Sequence, residues 1–272
     1  MTILITGATG QLGQLIIEQL VQQVPPEQII AGMRQLDKGK AFKERGIGLR
    51  RVDYDVPESL EEAFAGVSRL LLISSPHTDD AVRITQHTNV VEAAKKAGVA
   101  HILYTGFAFP QHGNKAAGNV HAQTEQAILD SGLSYTFVRN ALYIDFVGVL
   151  GLNEAISSGV LRALPGDWRF NAVTRSDLAL ATAQILAGSG HEGQIYELAA
   201  PKTWTFTELA QALAELAGKP VVHVEDSAAQ HWIYNFVSSI DTVSVSEDLQ
   251  RLMGRPVTAL KMSILPFVNP RN

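Results

Sequence analysis

Gly7, Gly10 and Gly13 stand in the run Gly7-Ala8-Thr9-Gly10-Gln11-Leu12-Gly13, directly after the apolar stretch Ile3–Thr6 and at the start of a helical pattern. Glycines so placed let the backbone turn sharply, approach a pyrophosphate and pack a helix on its strand, while free amides at the helix N-terminus bind phosphate. About twenty residues further on, where a site for NAD carries an acid, the chain reads Gly32-Met33-Arg34. A cation there pairs with a 2′-phosphate, so the expected cofactor is NADP(H), with Lys38 as an auxiliary cation; the plainer reading makes Arg34 a solvated loop residue. Asp53 and Asp55 close the third apolar run. Asp53 is placed to reach an adenine, and Asp55 is equally suited to capping the next helix. Ser74, Ser75 and Pro76 end the fourth run, where they would lie beside the ribose, although proline there also simply stops a strand.

Nicotinamide chemistry on alcohols and simple ketones commonly uses a tyrosine whose pKa is lowered by a lysine four residues later. None of the six tyrosines here has lysine at that position; Tyr135 with Arg139 is the nearest match, and it falls on a strand pattern. The helical pattern Val120–Asp130 holds His121 and Glu125, four residues apart. Three readings stay open: His121 donates a proton with Glu125 setting its tautomer, the two bind a metal, or they form a structural hydrogen-bonded pair. Two ligands alone make a poor metal site, and no metal is expected. Without a strong acid the substrate must accept hydride readily, as quinones, conjugated enones and cationic dyes do, because the added electron pair is delocalised or cancels a positive charge. Tyr143 is the candidate for stacking on or hydrogen bonding to such an acceptor. Phe107, Phe109 and Phe146 are candidate walls or core residues. His77, His87, His101, His112, His191, His223 and His231 show no metal-ligand spacing and read as surface or satisfied polar residues. Arg175 and Asp177 read as a structural junction.

These residues need a scaffold that brings strand ends together. Six continuous apolar runs, Ile3–Thr6, Gln28–Met33, Ile47–Val52, Arg69–Ser74, His101–Thr105 and Tyr135–Arg139, alternate with helical patterns near Leu12–Val24, Lys38–Arg45, Glu58–Ala65, Asp80–Ala97 and Val120–Asp130. That alternation predicts an α/β fold, a doubly wound parallel Rossmann sheet covered on both faces. After residue 140 the pattern weakens: a helix is expected from Ala141 to Gly159, others over Ser176–Ala187 and Thr207–Ala217, and a short strand over Val221–Val224. The division expected is a nucleotide-binding domain over 1–140 and a small lobe over 141–272, interleaved with the sheet.

In combination, the glycine run, Ser74-Ser75-Pro76-His77, Tyr104-Thr105-Gly106, His121-Ala-Gln-Thr-Glu125, Arg139-Asn-Ala-Leu-Tyr143, Thr174-Arg-Ser-Asp-Leu-Ala179 and Trp204-Thr-Phe-Thr-Glu-Leu209 resemble the NmrA-like atypical short-chain dehydrogenase/reductases. Within these the chain is most similar to NADPH-dependent quinone oxidoreductases and triphenylmethane-dye reductases. The resemblance covers about residues 1–225. It implies cofactor contacts from Gly7 to Leu12, Arg34, Ser74 to Pro76, and the strip Val138, Arg139, Asn140, Ala141, Leu142 and Tyr143. It also implies a C-terminal lobe shortened after Val224, before Asp248-Leu-Gln-Arg-Leu-Met-Gly254 resumes the family pattern. The activity implied is hydride transfer from NADPH to a quinone or a triarylmethane or azo dye. The alternative is a redox-sensing regulator that binds the nucleotide without turnover.

Composition agrees with that class. The 272 residues have 46% hydrophobic content and no cysteine, which excludes disulfides, thiolate metal sites and thiol nucleophiles. A net charge of −5 with scattered Lys and Arg argues against nucleic acid or an anionic membrane as partner. The first residues lack the charged and apolar regions of a secretory leader, so the expected compartment is cytoplasmic. A small conjugated organic substrate is the expected partner, and the oligomeric state is not specified by the sequence.

Overall fold

The structure, a computed structural model, describes residues 1–110 and 115–268, with the side chains of 115–119 left out. Six strands, β1 (Ile3–Ile5), β2 (Ile29–Met33), β3 (Gly48–Arg51), β4 (Arg69–Leu72), β5 (His101–Phe107) and β6 (Ser134–Asn140), alternate with helices α1 (Gln11–Leu20), α2 (Lys40–Glu44), α3 (Pro57–Phe64), α4 (Asp80–Lys96) and α5 (Lys115–Ser131). Beyond them come β7 (Leu142–Tyr143), α6 (Leu152–Ser158), β8 (Val160–Ala163), β9 (Arg169–Phe170), β10 (Ala172–Val173) and α7 (Arg175–Ala187). The chain continues through β11 (Gln194–Leu198), β12 (Trp204–Thr205), α8 (Phe206–Ala217), β13 (Val222–Glu225), α9 (Trp232–Ser238), α10 (Asp248–Met253) and α11 (Leu260–Ile264).

The main sheet has seven strands in the order β11-β6-β5-β4-β1-β2-β3, every pairing parallel. All strand ends that could meet a ligand therefore lie on one edge, and the order reverses at β1 and β4. Ile3 and Ile5 point to one face, among Ile16 and Ile17 of α1 and Leu178 and Ile185 of α7, while Leu4 points to the other, among Leu60, Phe64, Val90 and Val91. Both faces are covered, which is why the central strands β1, β2 and β4 read as apolar runs, whereas β3 at the sheet edge keeps exposed and half-buried residues. A third core gathers Phe146, Phe170, Trp204, Phe206, Leu213 and Tyr234 in the lobe.

Two expectations are corrected. Residues 141–159 do not form one helix: Leu142–Tyr143 pair with Ala172–Val173, a 3-10 turn spans Ile144–Val149, and Gly151 at φ +67° breaks the chain before α6. The sheet also has a seventh strand, β11. Its run Gln194–Leu198 has exposed residues at its start and a glutamate near its end, so, like the other edge strand β3, it lacks the apolar continuity of the central strands.

Local rules hold several helices in place. Asp79 accepts the amides of Ala81 and Val82 at the start of α4, Thr174 accepts that of Asp177 at the start of α7, and Thr205 with Glu208 forms a capping box on α8. No helix among the described residues is long and apolar enough to cross a membrane.

Candidate functional site

The glycine run forms the cradle its spacing implies. Gly7 turns at φ +58°. A Cβ on Gly13 would stand 2.4 Å from the Gly7 carbonyl oxygen and 3.0 Å from Ala8 Cα, and one on Gly10 3.1 Å from that same oxygen. The loop is tied inward by Ala8 N–H to the Gly32 carbonyl (3.0 Å) and by Gln14 Nε2 to the Thr9 carbonyl (2.7 Å). No side chain caps α1, so the amides of its first turn remain for an anion.

Around this loop the strand ends are fastened to one another. The Tyr54 hydroxyl lies 2.5 Å from Thr6 Oγ1 and 2.8 Å from the Ile73 carbonyl, beside β1 and β4. Ser74 N–H donates to Thr105 Oγ1 (2.9 Å), and Ser74 Oγ accepts from Arg83 (3.2 Å). Ser75 is held twice, its amide donating to His87 Nε2 (2.8 Å) and its hydroxyl to Gln86 Oε1 (2.5 Å). His87 then directs Nδ1–H to Thr124 Oγ1 (2.8 Å), whose own proton goes to the Val120 carbonyl (2.8 Å). Burial, then Arg83 and His121, lower the His87 pKa to about 3, so the ring is neutral. His87 and Gln86, neither named by any motif, thus shape the Ser74–Pro76 segment; the residues carrying a motif hid the residues placing it.

Arg34 lies exposed just past β2, with no hydrogen bond or ion pair among the described residues, and Lys38 is also exposed. Asp53 is half-buried: its carboxylate accepts the Asp55 amide (3.3 Å) and faces Arg51 at 3.7 Å. Asp55 does not cap α3, whose N-cap is Val56 without a side-chain bond; it accepts from Gln86 Nε2 (2.8 Å) instead.

His121 and Glu125 do not pair. The Glu125 carboxylate takes both Nε and Nη2 of Arg139, at 2.9 and 2.7 Å, so it cannot set the histidine's tautomer. His121 has Tyr104 Oη 2.7 Å from Nδ1 and Arg83 Nη2 3.5 Å from Nε2. Burial and the neighbouring Arg83 lower its pKa to about 4, and Tyr104, wholly buried, has its pKa raised by that burial. The spacing of four suggested one partnership; the fold made two others.

The strip after β6 is mixed. Val138 and Leu142 are buried in the two cores, Ala141 gives its amide to the Leu198 carbonyl (3.1 Å), and Arg139's guanidinium is taken by Glu125 and by Glu197 (2.8 Å). Its hydrogen bond to Glu125 is the first cause that raises the Arg139 pKa. Asn140 is 2% exposed and its Oδ1 has no partner. Its amide nitrogen lies 3.4 Å from the Tyr143 hydroxyl. Tyr143 is half-buried, its pKa raised by burial, with the Arg175 guanidinium 4.3 Å over its ring and Asp145 paired to that guanidinium. Phe146 is no wall: it is 8% exposed and stacks on Trp204 at 5.7 Å. Phe107 lies 6.4 Å from the His121 ring, and Phe109 is half-buried at the exit of β5. Several other histidines serve turns and contacts: His77 Nδ1 accepts the Asp79 amide, His231 caps α9, His101 meets Thr136 and His191 meets Tyr196. His112 lies outside the described residues.

A glycine cradle that any Cβ would fill, uncapped amides behind it and an orphaned buried carbonyl on the same sheet edge fit a dinucleotide. A family model described as NmrA-like matches residues 1–240. The chain belongs to the NmrA-like family. Quinone oxidoreductase 2 of Escherichia coli K12 is 35% identical, over 99% of this chain and 100% of that one. Its structure with NADPH superposes with a TM-score of 0.85. The Citrobacter sp. triphenylmethane reductase in complex with NADP(H) is 43% identical, with a TM-score of 0.91 over 98% of this chain and 100% of that one. An NAD(P)H azoreductase of Xenophilus azovorans is 27% identical over 82% of this chain and 76% of its own.

Proposed function

We propose that this chain is an NADPH-dependent oxidoreductase that passes hydride to a planar conjugated acceptor, a quinone or a triarylmethane or azo dye. The observation that carries the choice of acceptor is the state of His121 and Glu125. A neutral ring with both nitrogens engaged and a carboxylate locked to Arg139 provide no acid for a localised alkoxide, whereas a delocalised product anion needs none. The likeness to quinone and dye reductases supports the same class.

When bound, NADPH supplies the hydride. The residues that would hold it are the Gly7–Gly13 run at the pyrophosphate, Arg34 at the 2′-phosphate, Asp53 toward the adenine, Ser74–Pro76 along the ribose and Asn140 Oδ1 as acceptor for a carboxamide N–H. Tyr143 is a phenol whose burial holds its proton in place and whose oxygen faces Asn140 Nδ2, so its O–H can donate a hydrogen bond to an acceptor oxygen without giving the proton up. Arg175 covers one face of that ring.

The test is consumption of NADPH with menadione and with crystal violet. Turnover with either, faster than with a simple aliphatic ketone, supports the reading. Tight NADPH binding with no consumption above background would establish the second reading, a nucleotide-sensing regulator.

A further inference from the structure

Phe109 is the one non-glycine residue at positive φ among the described residues, at +53°, a region phenylalanine enters only when its surroundings hold it there. Its amide donates to Glu197 Oε2 at 2.8 Å. The other oxygen of that carboxylate accepts Arg139 Nη1 at 2.8 Å, and Arg139 is gripped from its far side by Glu125. Glu197 is itself fixed along β11, because its backbone amide donates to Asp248 Oδ2 of α10 at 3.0 Å.

Stability alone does not explain this arrangement. A half-buried ion cluster contributes little that a well-packed apolar pair would not, and two carboxylates on one guanidinium leave a surplus negative charge. An apolar pair cannot accept an amide proton. The surplus charge is what makes the bond to Phe109 charge-assisted, hence short and directional. That turn lies on the ligand edge of the sheet: Ala108 N–H donates to the Asn140 carbonyl (2.9 Å), and the Phe109 and Tyr143 side chains pack against the same core.

We propose that Glu197 is a positioning residue which, through the amide of Phe109, sets the left-handed turn leaving β5 and so selects the acceptors the site takes. The inference rests on the reading of the site as one for conjugated acceptors, and it adds a residue that touches neither acceptor nor nucleotide.

Glu197→Ala removes both bonds of the carboxylate, and Glu197→Gln keeps one acceptor oxygen as the conservative variant. Four quantities are read without turnover: hydrogen exchange at the Phe109 amide and the dissociation constants of crystal violet, menadione and NADPH. In Glu197→Ala, loss of a charge-assisted bond should speed Phe109 exchange at least about tenfold, with the Tyr104 amide inside β5 unchanged. Crystal violet should weaken about fivefold or more relative to menadione, while NADPH stays within about twofold. Glu197→Gln should fall between this variant and the natural chain. Unchanged exchange at Phe109, a common factor of loss for both acceptors and NADPH, or failure of the natural chain to bind crystal violet would each overturn the proposal. So would a Glu197→Ala that does not fold beside a Glu197→Gln identical to the natural chain. A chain that binds both acceptors and NADPH without consuming NADPH would sink the reductase reading alone, and the exchange and binding ratios would still judge Glu197.

Discussion

We assign the cofactor preference to Arg34, which stands exposed at the end of β2 with no hydrogen bond or ion pair among the described residues. A guanidinium on a phosphate is worth about 1.5–3 kcal/mol, so Arg34→Ala should raise the NADPH dissociation constant by about tenfold or more and leave NADH within about twofold. Isothermal titration of both nucleotides reads this directly, and a retained preference for NADPH would return Arg34 to the status of a solvated loop residue. The glycines of the cradle were legible in sequence because their role depends on a short spacing. Gly13 needs only Gly7, six residues earlier, to be understood. Glu125 is the opposite case: its partner Arg139 lies on the next strand and Glu197 beyond that on a strand joined from the other half of the chain, so no periodicity points to either. His121, four residues from Glu125, offered a nearer and mistaken partner.

At the scale of elements, α4 and α5 meet across His87, Arg83, His121 and Thr124, a polar seam in otherwise apolar packing. Both imidazoles have folded pKa values far below the ordinary value of 6.5, about 3 for His87 and about 4 for His121, through burial first and neighbouring charge second. The unfolded chain therefore binds protons as pH falls below 6.5 while the folded chain refuses them, so the stability is fully present above 6.5 and drains away toward pH 4. At pH 5 the loss is about 2 kcal/mol for each ring. Urea unfolding at pH 7.5 and 5.0 should show it, and His121→Gln should shrink the difference between the two pH values by about its own share. Equal stability at both pH values would mean that the seam opens to water. Of these two helices, α4 was read from its periodicity to within one residue, and α5 was read starting five residues late. The seam was not, since α4 and α5 come from separate crossover units and only the sheet brings them together. The half-polar β11 and the glycine-broken stretch after Asn140 escaped for a related reason: each is ordered by a neighbour distant in sequence.

For the whole molecule, the question is what keeps the lobe and the last helices registered on the sheet. The first core already mixes residues from both ends of the chain: Ile5 and Ile16 from the beginning, Leu178, Leu198, Leu249 and Met253 from the rest. Asp177 closes the same joint with charge. It is wholly buried in the first turn of α7, and its carboxylate accepts Arg255 Nη2 (2.7 Å), Thr258 Oγ1 (2.9 Å) and the Thr258 amide (2.8 Å). Removing a buried carboxylate strands the Thr258 donors, whereas Arg255, 44% exposed, recovers water. The net cost in Asp177→Ala is about 3 kcal/mol, or roughly 6–12 °C in Tm for a chain of this size. Because the joint lies within a shared core, calorimetry should show one transition moved down as a whole. A separate early transition, with the main one unmoved, would show instead that the C-terminal segment melts on its own. NADPH affinity well below the transition should stay within about twofold, since the glycine cradle is built by β1, β2 and α1 and takes none of its hydrogen bonds from Asp177.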